Sequence, residues 1–255
     1  MEQDLEDILQ RGGELYHPGF SIDCVIFGFH NNQLKVLLLK VKNTGQWGLP
    51  GGFMLKNEDV EKAACRLLKA RTGLEDVFLR QFYLFGDLVR NNEEFNRQRL
   101  LKQRIAASKD HWFMQRFITL GYYALVNFSS AIPRPDYISE ACEWWDLHAV
   151  PALMLDHNHI LNKALETLRL QLNYQPIGYN LLPNKFTMTE LQRLYETILG
   201  KKLDRRNFLR KMLSYGILKR LDERRSGVAY KPPYLYSFDL LPYQQALEEG
   251  LSGGW

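Results

Sequence analysis

The sequence predicts an α+β protein of two domains, and three observations lead to this prediction. The chain has 255 residues, of which 45% are hydrophobic and 24% charged, as is typical of one or two globular domains. Strand-like runs are interspersed with two amphipathic helices in the first part of the chain. After Phe186 the pattern changes to helix, turn, helix and hairpin. We therefore predict a first domain at 1–178 and a second at 179–255.

The first domain begins with strands followed by a helix. Two runs rich in leucine and β-branched residues, 21–29 and 34–41, are separated by turn residues at 31–33 and predict a hairpin. Asn57 is the predicted N-cap of the helix, and acidic residues follow it in the first turn. Apolar residues then recur at helical spacing up to Gly73, the predicted C-cap.

The rest of the first domain continues the alternation of strands and helices. Strands are predicted at 77–86, 117–127 and 140–147, and a long helix at 151–173. Residues 91–116 interrupt this pattern because they are charged, with sparse apolar residues near helical spacing. We interpret this segment as a helical insertion between two strands. Connections of this length are usually functional or mobile.

The second domain has the element order of a winged helix-turn-helix. Thr187 and Glu190 form a predicted capping box at the start of its first helix. Asp204 is the predicted N-cap of the second helix. Two short strands, 217–221 and 234–238, then form a hairpin. Helix, turn, helix and hairpin in this order predict a small winged helix-turn-helix domain.

The positive charge of the chain is concentrated in the second domain. Residues 1–182 contain 20 Lys and Arg against 21 Asp and Glu, whereas residues 183–231 contain 13 against 5. Such a block favours binding to nucleic acid or anionic lipid, the alternatives being a solvated basic face or a dimerisation module. Helix-turn-helix proteins place their second helix in the major groove, where Arg and Asn bond guanine and adenine. The expected DNA-binding residues are Arg205, Arg206, Asn207, Arg210, Lys211, Lys219, Arg220, Arg224 and Arg225.

Composition excludes several other classes of protein. The three cysteines, Cys24, Cys65 and Cys142, are far apart and odd in number, which excludes a disulfide scaffold and a cysteine zinc finger. No run approaches the ~18 apolar residues of a membrane helix. The first ten residues are acidic where a signal peptide would be basic. We expect a cytoplasmic protein with no cofactor, no metal site and no membrane partner.

Residues 52–74 resemble the Nudix box, whose pattern is G-x5-E-x7-R-E-U-x-E-E-x-G-U, with U a bulky apolar residue. The approach to the box, 47–52, is also similar to that of Nudix domains. The resemblance implies a Nudix-type α/β/α sandwich with a mixed sheet. The residues that fall on the pattern are Gly52, Glu58, Arg66, Leu68, Gly73 and Leu74.

The sequence departs from the box where Nudix hydrolases hold their metal. The three positions of the metal-binding glutamates are Leu67, Ala70 and Arg71, which share one helical face. Mg²⁺ prefers carboxylate oxygens, whereas Leu and Ala cannot ligate and Arg brings a positive charge. Glu58 and Glu61 remain, as acids suited to the first helical turn. We expect no catalytic residue; the alternative is a pyrophosphatase that uses displaced carboxylates on nucleoside diphosphate derivatives.

A degenerate Nudix box joined to a winged helix resembles the Nudix-related transcriptional regulators of bacteria. The resemblance extends to 22–29, 122–127, 155–161 and 176–211. It implies a former hydrolase domain that senses a metabolite and thereby controls operator binding. Some members of the family sense ADP-ribose and control NAD synthesis, and others sense L-arabinose and control sugar catabolism. The box, the first strand and the stretch at 176–183 are more similar to the sugar-sensing branch, so L-arabinose is the predicted effector and ADP-ribose the alternative.

The effector site can be predicted only from residue chemistry. A sugar site needs an aromatic ring and a few convergent hydrogen-bonding groups. For His157 and His159 we prefer an exposed helix face or a cap position to a ligand contact. We expect a homodimer, because operators with two-fold symmetry match a two-fold protein. A repressor is expected, with an activator as the alternative. A third interpretation is a sugar- or nucleotide-binding protein whose basic tail contacts a protein partner. The expected effector-binding residues are Gln46, Trp47, Asp87, Tyr122 and Asp156.

Overall fold

A computed structural model describes residues 5–75, 77–90, 93–102, 104–135, 138–225 and 232–251. The described chain divides into two compact units. The first contains the residues up to Phe27 together with 36–124 and 130–164. The second contains 28–35, 125–129 and the residues from Leu165 onward. None of the helices in the described part of the chain is long and apolar enough to cross a membrane.

A seven-stranded sheet follows from the alternating apolar runs of the sequence. Its strand order is β3-β2-β1-β6-β5, with β4 paired to β1 and β7 paired to β2. The predicted first hairpin is confirmed: Asn31 and Asn32 form its turn with positive φ angles of 50° and 60°, a conformation that Asn tolerates. The strands are β1 Tyr16–His30, β2 Gln33–Val41, β3 Trp47–Gly48, β4 Gly51–Leu55, β5 Phe78–Phe85, β6 Ile118–Val126 and β7 Ser139–Asp146.

Two helices that the sequence predicted begin at different residues in the structure. Helix α2 spans Val60–Thr72, and its N-cap is Asp59 instead of Asn57. The Glu58 side chain accepts a hydrogen bond from the Leu55 backbone N–H (2.7 Å), and this turn delays the helix. The long helix α4, His157–Gln171, begins six residues later than predicted, because the Leu153 backbone N–H donates to the Asn158 side chain (2.8 Å) in a turn before it. The C-cap Gly73 is confirmed, with φ 70°.

The segment 91–116 contains the predicted helix, α3, at Glu93–Lys102, followed by a short 3-10 turn at Trp112–Met114. A helix that the sequence analysis missed, α1 at Leu5–Leu15, packs against this turn. The Trp112 indole N–H donates to the Leu9 carbonyl (2.8 Å). A buried cluster therefore holds α1, α3 and the 3-10 turn together. It consists of Ile8, Leu9, Tyr16, Leu100, Trp112, Phe113 and Met114.

The winged-helix order predicted for the C-terminal part of the chain is confirmed. The Thr187 side chain accepts from the Glu190 N–H (3.2 Å), and Glu190 accepts from the Thr187 N–H (2.7 Å), so the capping box is present. Asp204 caps the second helix by accepting from the Asn207 N–H (2.9 Å). The elements are β8 Phe186–Thr187, α5 Met188–Leu199, α6 Arg205–Ser214, β9 Leu218–Arg224, β10 Tyr234–Phe238 and an additional helix, α7 Leu240–Glu249. The three strands form one sheet in the order β8-β10-β9. The predicted α+β fold class is confirmed.

Gly12 allows the close approach of α1 to Trp112, so an alanine at this position is expected to destabilise the protein although it favours the helix. A Cβ atom at Gly12 would lie 2.1 Å from a carbon of the indole ring. Gly12→Ala is expected to lower the free energy of unfolding, because overpacking costs about 1–3 kcal/mol and outweighs the roughly 1 kcal/mol gain in helix propensity. Urea denaturation measures the change. In a Trp112→Leu background the same substitution should cost little, and a stabilising Gly12→Ala in the otherwise unchanged chain would contradict the packing argument.

Candidate functional site

The first unit contains a cavity lined by polar and aromatic side chains. It holds about 1000 Å³ of empty space when the solvent at its open mouth is included. Its walls come from β1, the loop that enters the Nudix-like box, α3, the 3-10 turn after α3 and the turn before α4. The polar lining residues are Ser21, Asp23, Arg90, Asn96, Arg99, Ser139 and His157, and the aromatic ones are Phe53, Phe95, Phe113 and Phe117.

A buried arginine connects three elements at one side of this cavity. The Arg90 side chain is 6% exposed. Its Nε donates to Asp156 Oδ2 (2.6 Å), its Nη2 to Asp23 Oδ2 (3.1 Å) and its Nη1 to the Phe117 carbonyl (3.3 Å). We refer to Arg90, Asp23 and Asp156 as the Arg90 cluster. The second carboxylate oxygen of Asp156, Oδ1, is buried and has no hydrogen-bond partner among the described residues.

His157 lies next to the Arg90 cluster as a buried, neutral imidazole. Its Nδ1 accepts from the Leu49 backbone N–H (2.8 Å), which places the ring proton on Nε2. That Nε2 is 3.8 Å from Asp23 Oδ1. Burial lowers the pKa of His157, and the charge of Asp23 only partly opposes this effect. The expected exposed or capping position is therefore wrong for His157, because the loop before the Nudix-like box packs over it; His159 is exposed as expected.

One wall of the cavity comes from the segment 91–116. Phe95, Asn96 and Arg99 of α3 and Phe113 after it line the cavity. The Arg99 guanidinium carbon lies 5.7 Å from the centroid of the Phe95 ring and 5.3 Å from that of Phe113. Both distances are within the range of a cation–π contact. The interruption of the strand pattern thus supplies part of the cavity surface.

The structure does not bring the five predicted effector-binding residues together. Asp156 lies outside the described cavity lining and accepts a hydrogen bond from Arg90, which belongs to it. Trp47 packs edge-on against Trp145, with ring centroids 5.0 Å apart, and Tyr122 is buried in β6. Gln46 and Asp87 are exposed. Among the residues that the structure describes, the cavity lining includes none of these five, and their role in effector binding remains a prediction.

Sequence reasoning missed Arg90 and Arg99 and preferred an exposed or cap position for His157, yet all three line the cavity. Arg90 closes the short 3-10 helix Leu88–Arg90, in which its N–H donates to the Asp87 carbonyl (3.1 Å). The polar residue at the strand end was thus noticed, but the side chain that lines the cavity comes three residues later. Arg99 belongs to a charged helix, and the sequence of this helix has no apolar periodicity that would identify its buried face. No local spacing distinguishes these arginines from exposed ones.

The residues at the positions of the Nudix metal ligands do not fit a divalent cation. Leu67 is buried against Gly52, Ala70 is exposed, and Arg71 is 3% exposed. A buried hydrocarbon side chain and a buried guanidinium offer no ligand to Mg²⁺. Glu58 is held by Arg66, whose Nε donates to Glu58 Oε2 (3.0 Å). Burial alone would raise the pKa of Glu58, but the bonds from Arg66 and from the Leu55 N–H hold this pKa below its usual value.

The predicted DNA-binding residues lie on α6 and on the hairpin of the second unit. Seven are exposed: Arg205, Arg206, Asn207, Arg210, Lys219, Arg220 and Arg224; Lys211 and Arg225 are half-buried. The Arg210 guanidinium donates to the Asn207 side chain (3.0 Å).

Two of the hairpin cations also contribute to the fold. Arg225 forms an ion pair with Glu190, the acid of the capping box, and Lys219 pairs with Asp239 (3.1 Å). Arg220 and Arg224 lie over the ring of Tyr234, at 4.8 and 4.1 Å from its centroid. The part of the loop at 226–231 lies outside the described residues.

Comparison with known proteins agrees with both parts of this architecture. A model of the NUDIX domain matches residues 18–168, and a model described as the NrtR DNA-binding winged helix domain matches residues 178–238. The "ADPR responsive transcriptional repressor NtrR" of Acinetobacter baylyi is 32% identical over 234 residues, which cover 89% of this chain and 84% of that protein. The chain belongs to the NrtR family of Nudix-domain transcriptional regulators. It is a DNA-binding regulator with a Nudix-type effector domain.

Solved structures of similar proteins share this fold. NrtR of Shewanella oneidensis is 25% identical, with a TM-score of 0.71 and coverage of 93% of this chain and 100% of that chain. The same protein complexed with a 27mer DNA is 24% identical, covers 92% and 99% of the two chains, and has a TM-score of 0.71. A MutT/nudix family protein from Enterococcus faecalis is 22% identical, covers 93% and 94%, and has a TM-score of 0.62.

These comparisons do not support the choice of L-arabinose as effector. The relative that matches nearly the whole chain is named for its response to ADPR. Much of the sequence that favoured the sugar-sensing branch is packed in the protein interior. Residues 22–28 of β1 are buried, and Leu67 of the box packs on Gly52. Asp23 of the first strand and Gly52 of the box nevertheless line the cavity.

The buried neutral His157 predicts a pH dependence of stability. Because its pKa is lower in the folded protein than the unfolded value of about 6.5, the unfolded state binds more protons, and the free energy of unfolding falls as the pH drops through about 6.5. His157→Asn removes this titration while its amide oxygen can still accept from Leu49. Urea denaturation at about pH 7.5 and 5.5 should therefore show a smaller loss of stability in the variant. Equal losses in the two proteins would refute a buried neutral His157.

Proposed function

We propose that this protein is a homodimeric repressor that releases operator DNA when ADP-ribose binds to its Nudix-type domain. The observation that carries the proposal is the 32% identity over 89% of the chain to a repressor named as ADPR responsive. The chemistry of the cavity supports it. ADP-ribose carries an aromatic base, two riboses and a diphosphate, and the cavity offers aromatic rings, polar side chains and arginines.

The regulation follows from linkage between two binding equilibria. An effector that binds more tightly to the arrangement with low DNA affinity reduces operator binding, by a coupling free energy of typically about 1–3 kcal/mol. Arg205 and Arg206 are exposed in the first turn of α6, the helix that we assign to the major groove. The homodimer is proposed because two-fold operators place half-sites about one helical turn apart.

The effector prediction is tested by fluorescence anisotropy with the full chain and duplex DNA from upstream of its own operon. Addition of ADP-ribose is expected to weaken binding about 5- to 150-fold, the range of typical coupling energies. L-arabinose at the same concentration should leave binding unchanged. Specific DNA binding that neither compound alters would contradict the proposed effector, and equal binding to a scrambled duplex would contradict operator recognition.

The DNA-binding surface predicts the effect of removing two arginines. Arg205→Ala with Arg206→Ala should weaken operator binding tenfold or more, because a lost bidentate contact costs about 1–3 kcal/mol, and should make log K less steep against log salt. Lys62→Ala with Lys69→Ala is the matched control, since it removes two exposed lysines from α2 and changes the net charge equally. An equal loss in both double variants would indicate nonspecific attraction instead of a contact surface.

The metal-ligand positions predict the absence of hydrolysis. With Leu67, Ala70 and Arg71 in place of acids, Mg²⁺-dependent turnover of ADP-ribose is expected not to exceed the rate without protein. This turnover is measured by a phosphate-release assay, in which an added phosphatase frees phosphate from the products. The Glu58→Gln variant serves as the control: activity of the unaltered chain that disappears in this variant would support the alternative of a pyrophosphatase.

A further inference from the structure

We infer that Asp23 and His157 bind one ribose hydroxyl group of the effector between them, and that this pair selects for an intact ribose. The inference rests on the proposed function, because it assigns one group of ADP-ribose to one place in the cavity. Both residues line the cavity, and their side chains are only 10% and 7% exposed. Asp23 belongs to β1 and His157 is the first residue of α4, so only the tertiary structure brings them together.

One oxygen atom of the Asp23 carboxylate is engaged, and the other is available to a ligand. Arg90 Nη2 donates to Oδ2 (3.1 Å) and forms an ion pair with the carboxylate. Within the described part of the chain, Oδ1 accepts no hydrogen bond. Gly51 pairs with Asp23 between β4 and β1, and a Cβ atom at Gly51 would lie 2.5 Å from Oδ1. A glycine at this position therefore leaves space next to Oδ1.

The ring of His157 is oriented so that its donor faces Asp23. Its Nδ1 accepts from the Leu49 N–H (2.8 Å), which leaves the ring proton on Nε2. The Nε2 atom lies 3.8 Å from Asp23 Oδ1, which is too far for a direct hydrogen bond. A single oxygen atom at about 2.8 Å from each of them can bridge the two atoms. The pair therefore presents an acceptor and a donor to one ligand atom.

A hydroxyl group matches this pair better than the other groups of ADP-ribose do. A carboxylate only accepts hydrogen bonds and the Nε2–H of a neutral imidazole only donates one, whereas a hydroxyl group does both through one oxygen. A phosphate oxygen has no proton to donate to Asp23, and its negative charge is repelled. The adenine base needs aromatic surface, which the cavity offers at Phe53, Phe113 and Phe117, with ring centroids 5.3 to 6.5 Å apart.

The burial of Asp23 and His157 makes the hydroxyl group important for selection. A ligand that fills this place without a hydroxyl group excludes water and leaves a buried acceptor and a buried donor unpaired, which costs binding free energy. A site built to hydrogen-bond a hydroxyl group therefore rejects the analogue that lacks it. The pair thus acts as a specificity determinant of the effector site.

The test is isothermal titration calorimetry of the full chain with ADP-ribose and with a set of analogues that each lack one of its ribose hydroxyl groups. The measurement is made at about pH 7.5, where His157 is neutral. One analogue is expected to bind roughly 10- to 100-fold more weakly than ADP-ribose, because it leaves both polar atoms unpaired. We call it the discriminated analogue, and the position of its missing hydroxyl group identifies the ribose that the pair contacts.

Variants of His157 then assign this discrimination to the pair. His157→Asn keeps an acceptor for the Leu49 N–H and removes the distal donor. It should bind ADP-ribose roughly 3- to 10-fold more weakly, and the discriminated analogue no more weakly than the unaltered chain does. His157→Gln places an amide N–H near the position of Nε2 and should restore part of the discrimination. His159→Asn, exposed on the same helix and outside the cavity lining, should behave as the unaltered chain.

The possible outcomes separate this inference from the proposed function. If the unaltered chain binds ADP-ribose, the inference is wrong when no analogue is discriminated, or when His157→Asn weakens all ligands equally or none; the proposed function then stands. If the unaltered chain does not bind ADP-ribose, both are wrong. Should His157→Asn fail to fold, NMR of the unaltered chain with isotope-labelled histidine decides. A change of the His157 Nε2–H resonance with ADP-ribose but not with the discriminated analogue supports the inference, and the same response to both overturns it.

Discussion

The position of Arg90 between Asp23 and Asp156 is the interaction on which the cavity depends. It connects β1, the turn after β5 and the turn before α4, three segments that are far apart in the sequence. A buried charge pair of this kind contributes little net stability compared with apolar packing, but the loss of one partner typically costs about 3–5 kcal/mol because the other charge is left unpaired. The cluster therefore fixes the relative positions of these segments. The wall at α3 is held by different forces, namely aromatic packing and the contact of Trp112 with Leu9.

The elements with strong local signals could be predicted from the sequence. The hairpin at Asn31 and Asn32, the C-cap Gly73 and the capping box of Thr187 are correct because each depends on residues that are neighbours in the chain. Helix α1 was missed because it contains two adjacent glycines and its stability depends on burial of Ile8 and Leu9 against a segment about a hundred residues away. Helix α2 begins later than predicted because the Glu58 side chain accepts a backbone hydrogen bond from a residue outside the helix.

The candidate site was less predictable than the fold because its contacts join residues that are far apart in the sequence. Asp156 was noticed, but Arg90, which joins it to Asp23, has nothing in its neighbourhood that marks it as buried. His157 looked exposed because its partner, the Leu49 N–H, belongs to a distant loop. The side chains of Leu67 and Arg71 cannot ligate Mg²⁺ whatever the tertiary structure, and the absence of a metal site stays a prediction. Effector chemistry depends on side chains from several elements, so resemblance along the sequence identified the family and did not identify the ligand.

Two arginines of the β9–β10 hairpin are ordered by contact with Tyr234 in the unbound protein. Arg220 and Arg224 rest on one aromatic ring, and Arg224 also donates to the Tyr234 hydroxyl (2.7 Å). Long side chains in solution sample many rotamers, and each one that becomes fixed on association costs about 0.5–1.5 kcal/mol. Here much of that ordering already exists in the unbound protein. If the hairpin contacts DNA as the sequence predicts, two oriented charges are already in place at the encounter, which favours capture of a polyanion on first contact over slow rearrangement after it.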